Sequence, residues 1–201
     1  MPSSPQWLCV PRGAGVLWAR RDVQAGTHPA VLSHGADEGF VSRFIWDGAR
    51  DYSPVLAVPA ALRFWAWLGG PAAVYAYQRQ LLSAAVALLT QRWGTEALAP
   101  PEITGAMTLV RLPFGVSHNA PAGATSEHAK AVQDCLYLNN IEVPVKNLRF
   151  RLYVRLSAHV YNSIGDFEKL AEAVLASTTL QALLPGPPKA GVSCTRGGAC
   201  G

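Results

Sequence analysis

Three stretches of this chain gather side chains able to do chemistry. The first is Gln6-Trp7-Leu8-Cys9-Val10-Pro11-Arg12-Gly13. The second is Ser33-His34-Gly35, followed by Phe44-Ile45-Trp46-Asp47-Gly48-Ala49-Arg50-Asp51-Tyr52-Ser53-Pro54. The third is Tyr153-Val154-Arg155-Leu156-Ser157-Ala158-His159-Val160-Tyr161-Asn162. Arg155 ends an alternating apolar run and precedes a polar cluster, where a guanidinium either grips a carboxylate or forms a surface salt bridge. His34 is either an acid–base or ligand group or an ordinary turn histidine. Arg50-Asp51 is a local ion pair or half of an anion site. Trp46 either stacks on a flat ligand or packs in a core.

The chemistry open to these groups is bounded by what the chain lacks. Of 17 basic residues only Lys130, Lys146, Lys169 and Lys189 are lysines, and Schiff-base chemistry needs an amine. Cys9, Cys135, Cys194 and Cys200 match no zinc spacing, and reduced thiols are the expectation. The net charge of +4 is scattered. Arg20-Arg21 and Arg149/Arg151 are its local clusters, suited to a solvated face or an anionic small ligand rather than to nucleic acid. Residues 1–6 have no apolar signal-like region. The long uncharged stretch at residues 64–78 is broken by Gly69-Gly70-Pro71 and too short to span a bilayer. A cytoplasmic protein with no membrane partner is expected.

These groups need elements to hold them. Residues 7–10 and 15–19 read as two strands around Pro11-Arg12-Gly13. Residues 22–53 are loop-rich. Ser53-Pro54 predicts a helix running to Leu68, with Ser53 as cap and a kink at Pro59. A second helix runs from Pro71 to Trp93 and ends on Gly94. Ala99-Pro100-Pro101 marks a subdomain boundary. Beyond it, residues 107–112 form a strand, 114–124 a loop and 126–138 a helix capped by Thr125 or Ser126. Residues 141–145 and 150–156 are strands, the second alternating Phe150, Leu152, Val154 and Leu156 against Arg151, Tyr153 and Arg155. Asp166 caps a last helix with Phe167, Leu170, Ala171 and Val174 on one face. Residues 185–201 are expected to be a disordered tail. Two strands beside such long helices make no self-sufficient core, so they belong to a larger sheet.

In their order along the chain, the three stretches resemble the isopenicillin-N-epimerase-like and L-cysteine-desulfhydrase-like branch of the class V aminotransferases. That branch carries His-Lys-Trp-Leu-Cys-x-Pro-Lys/Arg-Gly, a Ser-His segment, Trp-x-Gly-Thr-Arg-Asp-Tyr-Ser-Pro, and Tyr-Val-Arg-Ile-Ser-x-x-x-Tyr-Asn. The resemblance covers residues 7–180. It implies an α/β architecture, the C-terminal part of a PLP-dependent transferase (aspartate-aminotransferase-like) fold. Residues 1–98 would be a remnant of the large PLP-binding domain, 99–184 a small α+β subdomain and 185–201 the tail. It also implies pyridoxal 5'-phosphate as cofactor, a small amino acid such as cysteine as substrate, and a dimer.

By position, Arg155 matches the arginine that grips the substrate carboxylate. Gly48, Ala49 and Arg50 match the loop near the cofactor phosphate of the neighbouring subunit. Two departures qualify this. Gln6 stands where the family has its Schiff-base lysine, and an amide cannot condense with an aldehyde. Ala49 replaces a threonine whose hydroxyl resembles a phosphate ligand. The expectation is a truncated, catalytically incompetent relative of a cysteine desulfhydrase or amino-acid epimerase. The alternative is a non-catalytic isoform that pairs with a full-length enzyme and modulates it.

Overall fold

In a computed structural model, residues 5–45, 48–113 and 123–177 are described. The chain divides into two compact units, Met1–Pro71 and Ala72–Gly201.

The first unit is built from short helical pieces. Residues Pro5–Leu8 form a 3-10 turn, followed by α1 (Arg21–Gln24), α2 (Ser42–Ile45), α3 (Ser53–Leu56) and α4 (Val58–Trp67). The strands expected at 7–10 and 15–19 are absent: 7–8 lie in the 3-10 turn and 15–19 are irregular. A strand exists only through hydrogen bonds to a neighbour, and no strand among the described residues lies beside these runs. Val16, Leu17 and Trp18 are left exposed. The helix expected from Ser53 is broken after Leu56 and restarts at Val58, with Pro59 in the first turn of α4. Tyr52 rather than Ser53 is the cap of α3, and the Asp51 carboxylate accepts the Ser53 N–H at 2.9 Å. Among the described residues the core cluster of this unit is small: Val10, Ala14 and Ala61, with Leu8 and Val58 packed against them; Trp65 of α4 is buried as well.

The second unit owes its order to longer elements. Helix α5 spans Gly70–Trp93 and stops at Gly94, whose φ of +62° suits a residue without a Cβ. Its buried residues, among them Val74, Gln78, Leu81, Ala85, Leu89 and Trp93, fall three or four apart, which draws one stripe along the helix. A 3-10 turn at Pro101–Ile103 leads into β1 (Met107–Arg111). Helix α6 (Ser126–Leu138) starts on Thr125, whose hydroxyl and the His128 side chain close a reciprocal capping box. Then come β2 (Val145–Leu148), β3 (Arg151–Ser157) and α7 (Ile164–Ala176).

The strands form one antiparallel sheet in the order β1-β3-β2. Three details correct the sequence reading. The strand expected at 141–145 begins only at Val145, because Asn140 turns left-handed (φ +61°) after α6 and Pro144 has no N–H to give a ladder. Ser163, not Asp166, caps α7; Asp166 completes the capping box from the third helical position. Phe150 lies in the β2–β3 turn and is exposed rather than part of the buried row.

Leu152, Val154 and Leu156 present one face of β3 to α5, α6 and α7 and anchor a continuous core. Leu89, Ala85, Val132, Ala171 and Val174 are wholly or almost wholly buried there. Each large aliphatic side chain taken from water contributes about 1.5–3 kcal/mol. Trp93 donates its indole N–H to the Ala171 carbonyl at 3.4 Å, tying α5 to α7.

Candidate functional site

Arg155 sits near the end of the central strand. Its N–H donates to the Pro144 carbonyl at 2.8 Å and its Cα faces Leu109 across the ladder. Its side chain is exposed, on the face opposite the helices. Among the described residues its guanidinium makes no hydrogen bond or ion pair.

Register shows what shares that face. In an antiparallel ladder directly opposed residues point the same way. Tyr153 pairs with Arg111 on one side and Lys146 on the other, while Arg151 and Arg155 flank it along its own strand. Tyr153 is only 6% exposed and lies outside the helix-covered core, so a nearly buried phenol stands at the centre of a cross of four cationic side chains. Glu96 is their acidic neighbour. Arg111 donates from Nη2 to Glu96 Oε2 at 2.9 Å, and its Nε lies 2.8 Å from Oε1, off the line of its N–H. Arg151 is 3.8 Å from the same carboxylate. The sequence reading singled out Arg155 and missed Lys146 and Arg111 as its companions, which strand alternation alone cannot reveal without the register.

The Gly48, Ala49 and Arg50 loop lies in the first unit. Gly48 takes φ +116°, a conformation that favours glycine. Tyr52 donates its hydroxyl to the Gly48 carbonyl at 2.9 Å, and the Arg50 guanidinium lies 5.2 Å from the Tyr52 ring centre. Ala49 is exposed and its N–H meets no backbone carbonyl among the described residues. Asp51 does not pair with Arg50 in this loop; hydrogen bonding from Ser53 holds its carboxyl below the usual range. Trp46 lies outside the described residues.

His34 is exposed and has no hydrogen-bond partner among the described residues. Gly35 packs against backbone, since a Cβ there would stand 2.3 Å from the Ser42 carbonyl oxygen. Arg43, unmarked in the sequence, knits this loop together by donating to the carbonyls of Ala36 (3.0 Å), Ala25 (3.3 Å), Gln24 (3.4 Å) and Thr27 (3.4 Å). Asn162 orders the approach to α7: its Oδ1 accepts the His159 N–H at 3.1 Å, its Nδ2 donates to Asp166 Oδ2 at 3.3 Å, and its carbonyl accepts the Tyr77 hydroxyl at 2.6 Å.

Apart from these, a cavity of about 600 Å³ lies against α5 and β1, bounded by Leu82, Val86, Ala97 and Thr108, and holds none of the residues marked in the sequence. Among the described residues no cluster of His, Cys, Asp or Glu is arranged to hold a metal ion, and no helix is long and apolar enough to cross a membrane.

No family model matches the chain. It is 28% identical over 185 residues to L-cysteine desulfhydrase of Arabidopsis thaliana, covering 84% of this chain and 40% of that one. It is 32% identical over 189 residues to isopenicillin N epimerase of Amycolatopsis lactamdurans, covering 86% and 45%. The chain is a class V aminotransferase-like relative of the L-cysteine desulfhydrases and isopenicillin N epimerases. It spans less than half the length of these relatives. Among solved structures a NifS-like protein superposes with a TM-score of 0.57 at 17% identity, over 85% of this chain and 43% of that one. The cysteine desulfurase CsdA from Escherichia coli superposes with a TM-score of 0.55 at 18% identity, over 86% and 44%. The class V aminotransferase-like chain therefore carries part of the PLP-dependent transferase fold, with mixed helix and sheet.

Proposed function

We propose that this chain retains the carboxylate-gripping side of a PLP-dependent amino-acid site without the means to hold the cofactor covalently. The carrying observation is the distribution of amines. Gln6 precedes Trp7 where the resemblance places the Schiff-base lysine, and residues 1–71 contain no lysine at all. Lys130 is ion-paired with Asp134 on α6, Lys169 lies on α7, and Lys146 lies on the open sheet face. The residues present do not fit a covalently bound PLP. In this reading residues 1–98 belong to the large domain and 99–184 to the small one. Arg155 would bind the carboxylate of a small amino acid, and Gly48, Ala49 and Arg50 would lie near the cofactor phosphate of a neighbouring subunit.

The test is to mix the purified chain with PLP, reduce with borohydride and map adducts by mass spectrometry. The expected result is no stoichiometric adduct at any single lysine. A lysine labelled one-to-one, with an aldimine absorbance before reduction, would overturn the reading.

A second reading is pairing with a longer relative through residues 30–60. Exposed Val31, Leu32, Val41, Ile45 and Leu56 favour it, since apolar side chains gathered on one segment suit a protein interface. Co-expression with a full-length desulfhydrase-type subunit would yield a stable mixed dimer. Two separate species in sedimentation would count against it.

A further inference from the structure

We propose that the open sheet face selects amino acids that carry a second, distal carboxylate, and that Lys146 is the residue that reads it. The inference rests on the reading of Arg155 as the grip for the α-carboxylate and names the substrate class of that site. Lys146 is opposite Tyr153, one step diagonal from Arg155, which places their Cα atoms roughly 7–8 Å apart. Both side chains are exposed on the same face, and neither has an ion-pair or hydrogen-bond partner among the described residues. The corresponding diagonal position on β1 is Arg111, but Glu96 occupies that guanidinium with both oxygens. Arg151 is four residues away along the strand and shares the same glutamate. Of the three charges that surround Tyr153 with Arg155, Lys146 is thus the one with no partner among the described residues.

Four like charges around one tyrosine repel each other, and one carboxylate offsets only part of that. A ligand with two carboxylates a few ångströms apart would supply the missing negative charge to Arg155 and Lys146 together. A neutral side chain such as that of cysteine or alanine would leave Lys146 unsatisfied.

The full chain would be titrated with glutamate, aspartate, cysteine and alanine by calorimetry, as wild type and as Lys146→Gln, Lys146→Arg and Arg155→Gln. Circular dichroism would check each fold. Glutamate or aspartate should bind about fivefold more tightly than alanine, the scale of an exposed ion pair. Lys146→Gln should abolish that ratio with alanine unaffected, Lys146→Arg should keep it, and added salt should shrink it. Equal affinity for all four ligands, or a ratio that survives Lys146→Gln, would overturn the proposal while leaving Arg155 as the α-carboxylate grip. Dicarboxylate binding lost in Lys146→Gln but unchanged in Arg155→Gln would overturn the Arg155 reading and keep Lys146. Absence of binding by every ligand would overturn both.

Discussion

Gly35 and Arg155 mark opposite ends of what a single residue can tell. Gly35 belongs to a stretch whose histidine invites a chemical role, yet the geometry gives the constraint to the glycine. A Cβ at Gly35 would press on the Ser42 carbonyl, and backbone cannot rotate away as a flexible side chain can. Gly35→Ala should destabilise the 33–45 loop by about 2 kcal/mol, the usual cost of overpacking. His34→Ala, at an exposed side chain, should leave stability within about 0.5 kcal/mol. Thermal melts of the two variants check both statements. Equal effects, or a larger one at His34, would contradict this division. Arg155 was visible in the sequence as a strand-end guanidinium. Its exposure and lack of a partner among the described residues are facts of the fold.

At the scale of elements, local signals served the helices well. Thr125 caps α6, Gly94 ends α5, and Phe167, Leu170, Ala171 and Val174 are buried on α7, because caps and periodicity act within a few residues. The strands at 7–10 and 15–19 failed because a strand is defined by a partner that the run itself does not contain. Two elements carry predictions. Arg149 and Phe150 both take left-handed φ, +48° and +61°, in the two-residue turn that joins β2 to β3. Side chains adopt that conformation at a cost of about 1–2 kcal/mol each. The double variant Arg149→Asn, Phe150→Gly should therefore raise stability by about 1 kcal/mol in urea unfolding. A decrease would show that the exposed Phe150 packs more usefully than its turn geometry suggests.

The other prediction concerns pH. Hydrogen bonding from Ser53 favours the charged Asp51 carboxylate, so its folded pKa lies below the unfolded one. The stability it adds is present above the ordinary carboxylate pKa, about 4, and is lost as pH falls through the lower folded value. Asp51→Asn should be less stable than wild type at neutral pH and converge with it below that range. A gap that is constant with pH would remove the charge from the explanation.

For the whole molecule, the two units differ in how much they bury. Among the described residues, Met1–Pro71 has a small core cluster of Val10, Ala14 and Ala61, with Trp65 also buried and Trp18, Leu56 and Trp67 among its exposed apolar side chains. Ala72–Gly201 has a continuous core under three helices. Resistance to local opening follows buried apolar contact. Backbone amides of α5, β3 and α7 should exchange with deuterium at least about tenfold more slowly than those of α3 and α4. Comparable protection in α3 and α4 would mean that the first unit draws stability from more than its own small core.

The sequence by itself determined the family resemblance, the missing lysine at Gln6, the limits of α5 and α6, and Leu152, Val154 and Leu156 as the apolar row of β3. All of these are set by residue identity or by spacings of four residues or fewer. Only the tertiary structure decided the pairing register, and with it the gathering of Arg111, Lys146, Arg151 and Arg155 around Tyr153. Those residues come from strands separated by a helix and a turn. A shift of one residue in any strand would turn its side chains to the other face, and alternation within one strand says nothing about which residue of the next stands beside it.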